Sequence, residues 1–170
     1  MKNMVLLNSP TQRSIWRSTI PISMTYQIDT IHQTEYPEVV ELWETSVRAT
    51  HEFLQEEDII YFKPLILNEY LKAVELSCVR DSKTQIIGFS GVAEGNLEML
   101  FVHPAHAGKG IGKTLLNHAL VNQNVTKVEV NEQNAKALEF YLKNGFEVIS
   151  RSEIDGTGKP YPILHLELTN

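Results

Sequence analysis

Residues 102–116 read VHPAHAGKGIGKTLL, and the seven residues GKGIGKT within this stretch contain three glycines and two lysines. An apolar helical pattern begins at once, at Ile111, Leu115 and Leu116. The first backbone amides of a helix lack intrahelical partners, and the helix dipole favours an anion beside them. Glycines let a phosphate approach the backbone closely, because no Cβ is in the way. The stretch therefore predicts a phosphate-binding loop that leads into a helix.

Two nucleotide-binding patterns fit this loop only in part. The P-loop pattern G-x-x-x-x-G-K-[ST] requires glycine at the position of Ala107. A P-loop also normally opens its parallel sheet, whereas several predicted strands precede this loop, and no later strand ends in an aspartate for Mg²⁺. The dinucleotide fingerprint G-x-G-x-x-G requires glycine at the position of Lys113. Neither nucleotide-binding class is favoured.

The composition is typical of one globular domain. The chain has 170 residues, of which 42% are hydrophobic and 21% charged, and this length is sufficient to bury a core. Lys and Arg number 15 against 21 Asp and Glu, so the net charge is −6. The sequence has no segregated basic segment, so this negative net charge argues against nucleic acid as a partner. A small cationic substrate is compatible with the negative charge.

Cysteine usage and hydropathy predict a cytoplasmic protein without a membrane partner. Cys78 is the single cysteine, so the chain has no internal disulfide. It alternates with Val74 and Leu76, which predicts a buried strand residue and not a nucleophile. No apolar run approaches the roughly 18 residues that a membrane helix needs, and the N-terminus lacks a secretory pattern. The six histidines have no zinc-ligand spacing, so we expect no metal.

Hydrophobic periodicity predicts a mixed α/β sheet after an N-terminal extension. Residues 1–23 are polar and have no sustained period, so we expect them to lie outside a single domain at 24–170. The predicted elements of that domain are a strand at 26–31, a helix at 35–50, a helical region at 58–71 broken by Pro64, three antiparallel strands at 74–79, 85–93 and 97–102, a helix at 111–120, a strand at 127–130, a helix at 134–144, and strands at 146–151 and 162–168.

In this context the loop resembles the acetyl-CoA loop of the GNAT family of N-acetyltransferases. The family pattern is roughly V-x-P-x-x-[RQ]-G-x-G-[IV]-G-x-x-L-[LM], and residues 102–116 read V-H-P-A-H-A-G-K-G-I-G-K-T-L-L. Ala107 departs from the pattern, because the family usually has Arg or Gln there. This exchange removes a polar contact beside the phosphate but leaves the cradle of backbone amides intact.

A second stretch supports the resemblance independently. Residues 131–146, NEQNAKALEFYLKNGF, are similar to the family's N-x-x-A-x-x-x-Y-x-x-x-G-F. The stretches SVRATHEFL at 46–54 and GKPYP at 158–162 also resemble segments of some bacterial members. The resemblance covers residues 24–168 and implies the GNAT fold of the α/β (α+β) class. That fold is a mixed, mostly antiparallel sheet with a splayed central strand pair and flanking helices.

The resemblance implies an enzyme that moves the acetyl group of acetyl-CoA directly to a primary amine. The amine would belong to a small molecule or a peptide, and the family includes monomers and homodimers. The implied cofactor-binding residues are Leu100, Phe101, Val102, Ala107, Gly108, Lys109, Gly110, Ile111, Gly112, Lys113, Asn134 and Tyr141. Asn134 would anchor the cofactor arm or simply begin a helix. Because Ala107 replaces the usual Arg or Gln, a CoA-binding sensor without turnover is an alternative.

The resemblance also implies catalytic and acceptor-binding residues. Tyr141 would protonate the departing thiolate, and Glu98 on the strand before the loop would take a proton from the amine, directly or through water. His51 is a rival for the base, because it lies in the region that forms the acceptor wall in the family. Glu52 and Phe53 would then help to shape the amine pocket. The structural alternatives are a packed tyrosine and a solvent-facing glutamate.

Overall fold

A seven-stranded sheet with flanking helices makes up residues 26–169, the part of the chain that the computed structural model describes. The strands are β1 (Ile28–Thr30), β2 (Glu75–Arg80), β3 (Ile86–Ala93), β4 (Asn96–Val102), β5 (Lys127–Asn131), β6 (Phe146–Ser152) and β7 (Ile163–Leu168). The α-helices are α1 (Tyr36–Thr50), α2 (Glu56–Asn68), α3 (Ile111–Asn122) and α4 (Ala135–Lys143). This order confirms the predicted order of elements. The extension predicted at 1–23 lies outside the described residues.

Helix α1 forms because its apolar residues recur on one face. Val39, Trp43 and Val47 are buried, at most 5% exposed, and their spacing follows the helical period. Pro37 lies in the first turn, where the missing amide proton costs no helical hydrogen bond. The buried face packs on the middle strands of the sheet.

The predicted break of the second helix at Pro64 is wrong. Helix α2 runs without interruption from Glu56 to Asn68, with Pro64 inside it, and only a short 3₁₀ turn follows at Tyr70–Lys72. A proline in a helix removes one backbone hydrogen bond and crowds the preceding turn. Here Ile59 and Ile66 are buried on either side of it in the core shared with α1, and this burial favours the continuous helix.

The strands are ordered β1-β2-β3-β4-β5-β7-β6 across the sheet. Strands β2, β3 and β4 form the predicted antiparallel meander, while β7 inserts between β5 and β6. Helices α1 and α2 share one core cluster with Cys78 and Phe89, and α3 and α4 share another with Leu97 and Leu166. Cys78 is fully buried, as predicted. None of the helices within residues 26–169 is long and apolar enough to cross a membrane.

Strands β4 and β5 diverge in the centre of the sheet. They pair in parallel only at Asn96 with Lys127 and at Leu97 with Val128. On its other side β4 has an extra residue, because Met99 pairs with Gly91 while Leu97 pairs with Val92. Glu98 is therefore the bulged residue, and a bulge bends the strand that carries it. From Glu98 to Val102, β4 has no partner on β5, which confirms the predicted splayed pair.

Candidate active site

A cavity of about 410 Å³ opens where β4 and β5 diverge. All predicted cofactor-binding residues except Lys109 line it, from Leu100 on β4 through the glycine loop to Tyr141 on α4. Further lining residues, which sequence reasoning had not assigned to the cofactor, are Ser46, Thr50, His51, His106, Lys136, Ala137 and Phe140. The cavity is therefore bounded by the unpaired edge of a strand, by the start of one helix and by a face of another.

The glycine loop presents an open backbone surface to this cavity. Gly108 and Gly110 have φ angles of 74° and 86°, a left-handed conformation that favours glycine. A Cβ added at either position would meet no atom within 4 Å. Gly110 is the N-cap of α3, and Ile111 behind it is 1% exposed, so the helix start is anchored in the core. The free amides of the first turn thus border a space that a phosphate can occupy.

The lysines of the loop differ in where they point. The Lys109 ammonium donates a hydrogen bond to the carbonyl of Ala105 at 3.2 Å, and Lys109 lies outside the cavity lining. Lys113 lines the cavity, and so does Lys136 from the first turn of α4. A positive charge beside the cavity therefore comes from Lys113 and Lys136. No sequence signal distinguished Lys136 from an ordinary solvated lysine.

Tyr141 is buried, at 6% exposure, and lies on the wall of the cavity. Its ring makes edge contacts with Phe140 and Phe146, with centroids 5.1 and 5.7 Å away. Burial alone raises the pKa of the phenol above its ordinary value. The phenol therefore stays protonated well beyond neutral pH. Tyr141 is both a packed residue and a cavity residue, so the two interpretations of its sequence position are compatible.

A second, narrower cavity of about 100 Å³ lies between the diverging strands. Glu98 and Glu129 line it from β4 and β5, and His51 and Tyr141 border both cavities. Burial, and then the negative charge of Glu129, raise the pKa of Glu98 above its ordinary value. Glu129 was missed from the sequence, because only the splay brings β5 opposite Glu98.

The three predicted acceptor residues lie in the turn between α1 and α2. The His51 ring is half-buried, with its centroid 5.3 Å from that of Phe53, and burial lowers the pKa of His51 to about 4. Phe53 lies behind His51, since it lines neither cavity and its ring centroid is 6.0 Å from that of Tyr161. Glu52 is exposed and lines neither cavity.

Asn134 contacts both the first turn of α4 and His51 at the end of α1. Its Oδ1 accepts a hydrogen bond from the amide of Ala137 at 3.1 Å, so the side chain caps α4 as one of the two predicted roles requires. Its Nδ2 lies 3.5 Å from Nε2 of His51. The start of α4 and the end of α1 therefore meet across the cavity.

Comparison with known proteins agrees with this geometry. The family model described as acetyltransferase (GNAT) domain matches residues 74–148. The peptidyl-lysine N-acetyltransferase YjaB of Escherichia coli is 39% identical over 132 residues, which cover 78% of this chain and 89% of that protein. The solution structure of apo YjaB superposes with a TM-score of 0.76 at 36% identity, covering 86% of this chain and 99% of that one.

A more distant structure has the same fold. The PaiA N-acetyltransferase of Thermoplasma acidophilum, solved in complex with coenzyme A, has a TM-score of 0.65 at 23% identity, with 86% of this chain and 100% of that chain covered. The family model and the E. coli relative define the class of this chain as an acyltransferase. The chain belongs to the GNAT family of N-acetyltransferases. The predicted class is confirmed, and the glycine loop follows an antiparallel meander and not the first strand of a parallel sheet.

Proposed function

We propose that this chain acetylates the side-chain amine of lysine in a peptide or protein, with acetyl-CoA as the acyl donor. The gap between β4 and β5 supports the proposal, because it joins the glycine loop to a narrow cavity lined by Glu98 and Glu129. Two E. coli relatives, YjaB and YiaC, are named peptidyl-lysine N-acetyltransferases. A paired carboxylate site suits a cationic ammonium group and disfavours an anionic acceptor.

The wider cavity suits the acyl donor. The open backbone at Gly108 and Gly110, at the start of α3, accommodates a pyrophosphate, and Lys113 and Lys136 add positive charge. The unpaired edge of β4 from Glu98 to Val102 can pair with the amides of the pantetheine arm as an added strand would. Ala107 lacks the side chain of the family's usual Arg or Gln, but the backbone amides of the loop do not depend on that side chain.

The narrow cavity suits the acceptor and its first proton transfer. A lysine ammonium, with a pKa of about 10.4, must lose a proton before its nitrogen can attack. Glu98 would take that proton, because it lies at the narrow cavity and its raised pKa makes the carboxylate a stronger base. Tyr141 would donate a proton to the thiolate that departs, since its phenol stays protonated at neutral pH.

A panel of acceptors tests this proposal. Free thiol release from acetyl-CoA would be measured with a lysine peptide, the same peptide carrying acetyl-lysine, spermidine and an amino-sugar. Of these four acceptors, we expect only the lysine peptide to cause thiol release, and we expect its mass to increase by one acetyl group. Turnover of spermidine or the amino-sugar but not of the peptide would contradict the peptidyl acceptor. CoA binding without turnover of any amine would instead indicate a sensor.

A further inference from the structure

The Nδ1 atom of His51 lies next to the Thr50 hydroxyl, which already donates its proton to another acceptor. Oγ1 of Thr50 lies 2.7 Å from Nδ1, and it also lies 2.8 Å from the carbonyl oxygen of Ser46, one turn back along α1. A carbonyl oxygen can only accept, and a hydroxyl has only one proton to donate. When Thr50 donates to Ser46, its oxygen must accept from His51. Nδ1 then carries the proton.

The contacts of Nε2, on the opposite edge of the His51 ring, indicate the same protonation state. Asn134 uses its Oδ1 to accept from the amide of Ala137 at 3.1 Å, so its Nδ2, a donor, faces His51 Nε2 at 3.5 Å. A protonated Nε2 would set two donors against each other. Nε2 must therefore present its lone pair. The contact at 3.5 Å is long, so the lone pair is only weakly held.

We infer that His51 is a catalytic base that takes a proton from the attacking nitrogen, and that Thr50 is a positioning residue that keeps Nε2 unprotonated. The inference rests on the proposed acetyl transfer and extends it. His51 borders both the wide cavity and the narrow one, and its Nε2 faces Asn134, which also lines both, so the ring lies where an acceptor amine would meet an acyl group. The rings of Phe53 and Phe101, with centroids 5.3 and 6.4 Å from that of His51, pack around it.

A lysine ammonium must lose two protons to become an amide nitrogen. We assign each of these protons to its own base. Glu98 takes the first and releases it to solvent, which leaves a neutral amine. The nitrogen lone pair then forms a bond to the acetyl carbon, the carbonyl π pair moves to oxygen, and the nitrogen becomes cationic and far more acidic. His51 Nε2 takes the second proton from this cationic nitrogen. The tetrahedral intermediate collapses by breaking the C–S bond, and Tyr141 protonates the thiolate.

The proton balance closes after one turnover. One proton passes from the His51 imidazolium to the Tyr141 phenolate through solvent, which restores both groups. The net change converts an ammonium and an acetyl thioester into an amide, a thiol and one released proton. Because burial lowers the pKa of His51 to about 4, the ring is neutral at physiological pH, and it takes a proton only from a nitrogen that bond formation has made strongly acidic. The ionisable groups that face it across the two cavities are Glu98, Glu129, His106, Lys113, Lys136 and Tyr141.

Nitrogen NMR of histidine-labelled protein tests the positioning step without any turnover. At pH 7 we expect His51 to show a protonated Nδ1 and an unprotonated Nε2. Thr50→Val should shift the ring towards the other tautomer, while Thr50→Ser should keep the original one. Thr45→Val is the matched control, because the Thr45 hydroxyl also donates to the carbonyl four residues back, at 2.8 Å, but makes no hydrogen bond to His51. A protonated Nε2 in the unaltered protein would refute the inference.

Kinetics tests the catalytic step. His51→Phe keeps an aromatic ring against Phe53 and Phe101 but removes Nε2, so kcat should fall roughly 10²-fold or more while the Kd for CoA is unchanged. Thr50→Val should lower kcat by about fivefold, the equivalent of one neutral hydrogen bond, and Thr50→Ser should recover most of that loss. Normal kcat in His51→Phe would refute His51 as a base and leave the proposed acetyl transfer standing. An unaltered protein that acetylates no amine would instead refute the proposed function, while the NMR result would still report on the tautomer.

Discussion

The ammonium of Lys159 lies 2.5 Å from Oδ1 of Asp58, 101 residues away in the sequence. The hydroxyl of Tyr161 donates a hydrogen bond to the other carboxylate oxygen. These contacts join the loop between β6 and β7 to the first turn of α2. Tyr161 also contacts Phe53, which packs against His51, so the same contacts support the turn between α1 and α2 that carries His51.

Asp58→Asn should lower the melting temperature at neutral pH by several degrees. The hydrogen bond from Lys159, and then that from Tyr161, lower the pKa of Asp58 below its ordinary 3.8. A carboxyl whose pKa is lower in the folded state stabilises the fold above its unfolded pKa, and this is lost as pH falls through the folded value. The difference in melting temperature between variant and unaltered protein should therefore shrink below about pH 3.8.

Glu57→Gln is the control for this change, because Glu57 is exposed in the same helical turn. The pKa of Lys159 is raised by the same pair. Its contribution is therefore present below its unfolded pKa and is lost as pH rises through the higher folded value. Equal melting temperatures for Asp58→Asn and Glu57→Gln across the pH range would mean that the pair contributes no net stability.

CoA or acetyl-CoA should raise the melting temperature, whereas ATP and NAD should not. At a ligand concentration of 100 Kd the stabilisation is about 2.7 kcal/mol. Gly110→Asp should abolish the shift, since it places a negative side chain where a pyrophosphate would lie. Gly158→Asp is the matched control, because Gly158 has a similar φ of 82° and an equally open surrounding, but lies outside the cavity lining. Loss of the shift in both variants would indicate general strain and not a phosphate site.

Tyr141→Phe should lower the rate of acetyl transfer by roughly 10²-fold or more, the usual contribution of a positioned general acid. The Kd for CoA should not change, because the ring and its contacts with Phe140 and Phe146 remain. Burial raises the pKa of Tyr141, so the alkaline limb of the rate should lie above pH 10, the value of an unperturbed phenol, and should vanish in the variant.

Tyr61→Phe is the comparison for this change, since Tyr61 is 50% exposed on α2 and lines neither cavity. If Tyr141→Phe and Tyr61→Phe both turn over at the normal rate, Tyr141 has only a packing role and water supplies the proton.

Glu98→Gln should lower kcat/KM for the acceptor and remove an acidic limb from its pH profile. The pKa of Glu98 is raised, so this limb should lie above the ordinary value of 4.5. Glu129→Gln should move the limb to lower pH, because it removes a negative charge that raises the pKa of Glu98. An acidic limb that is the same in all three proteins would show that Glu98 does not titrate in the rate-limiting step.

The fold could be predicted well because its signals are local. The helical period of Val39, Trp43 and Val47, and the glycines of the loop, each act within a few residues of chain. The break predicted at Pro64 was wrong because contacts outside the segment decided the conformation of this helix. A local rule about proline was outweighed by burial of Ile59 and Ile66 against α1, which lies outside the segment itself.

The sequence by itself determined the order of the elements and the glycine loop at the start of α3, because spacing along a few turns or strands encodes both. The class of chemistry followed from the resemblance of two stretches to the GNAT family. Only the tertiary structure decided that β7 inserts beside β5, that Glu129 faces Glu98, and that His51 meets Asn134. Glu98 and Glu129 belong to different strands, and His51 and Asn134 lie 83 residues apart. No local pattern records such proximities, because they arise from how the sheet splays and how its helices pack.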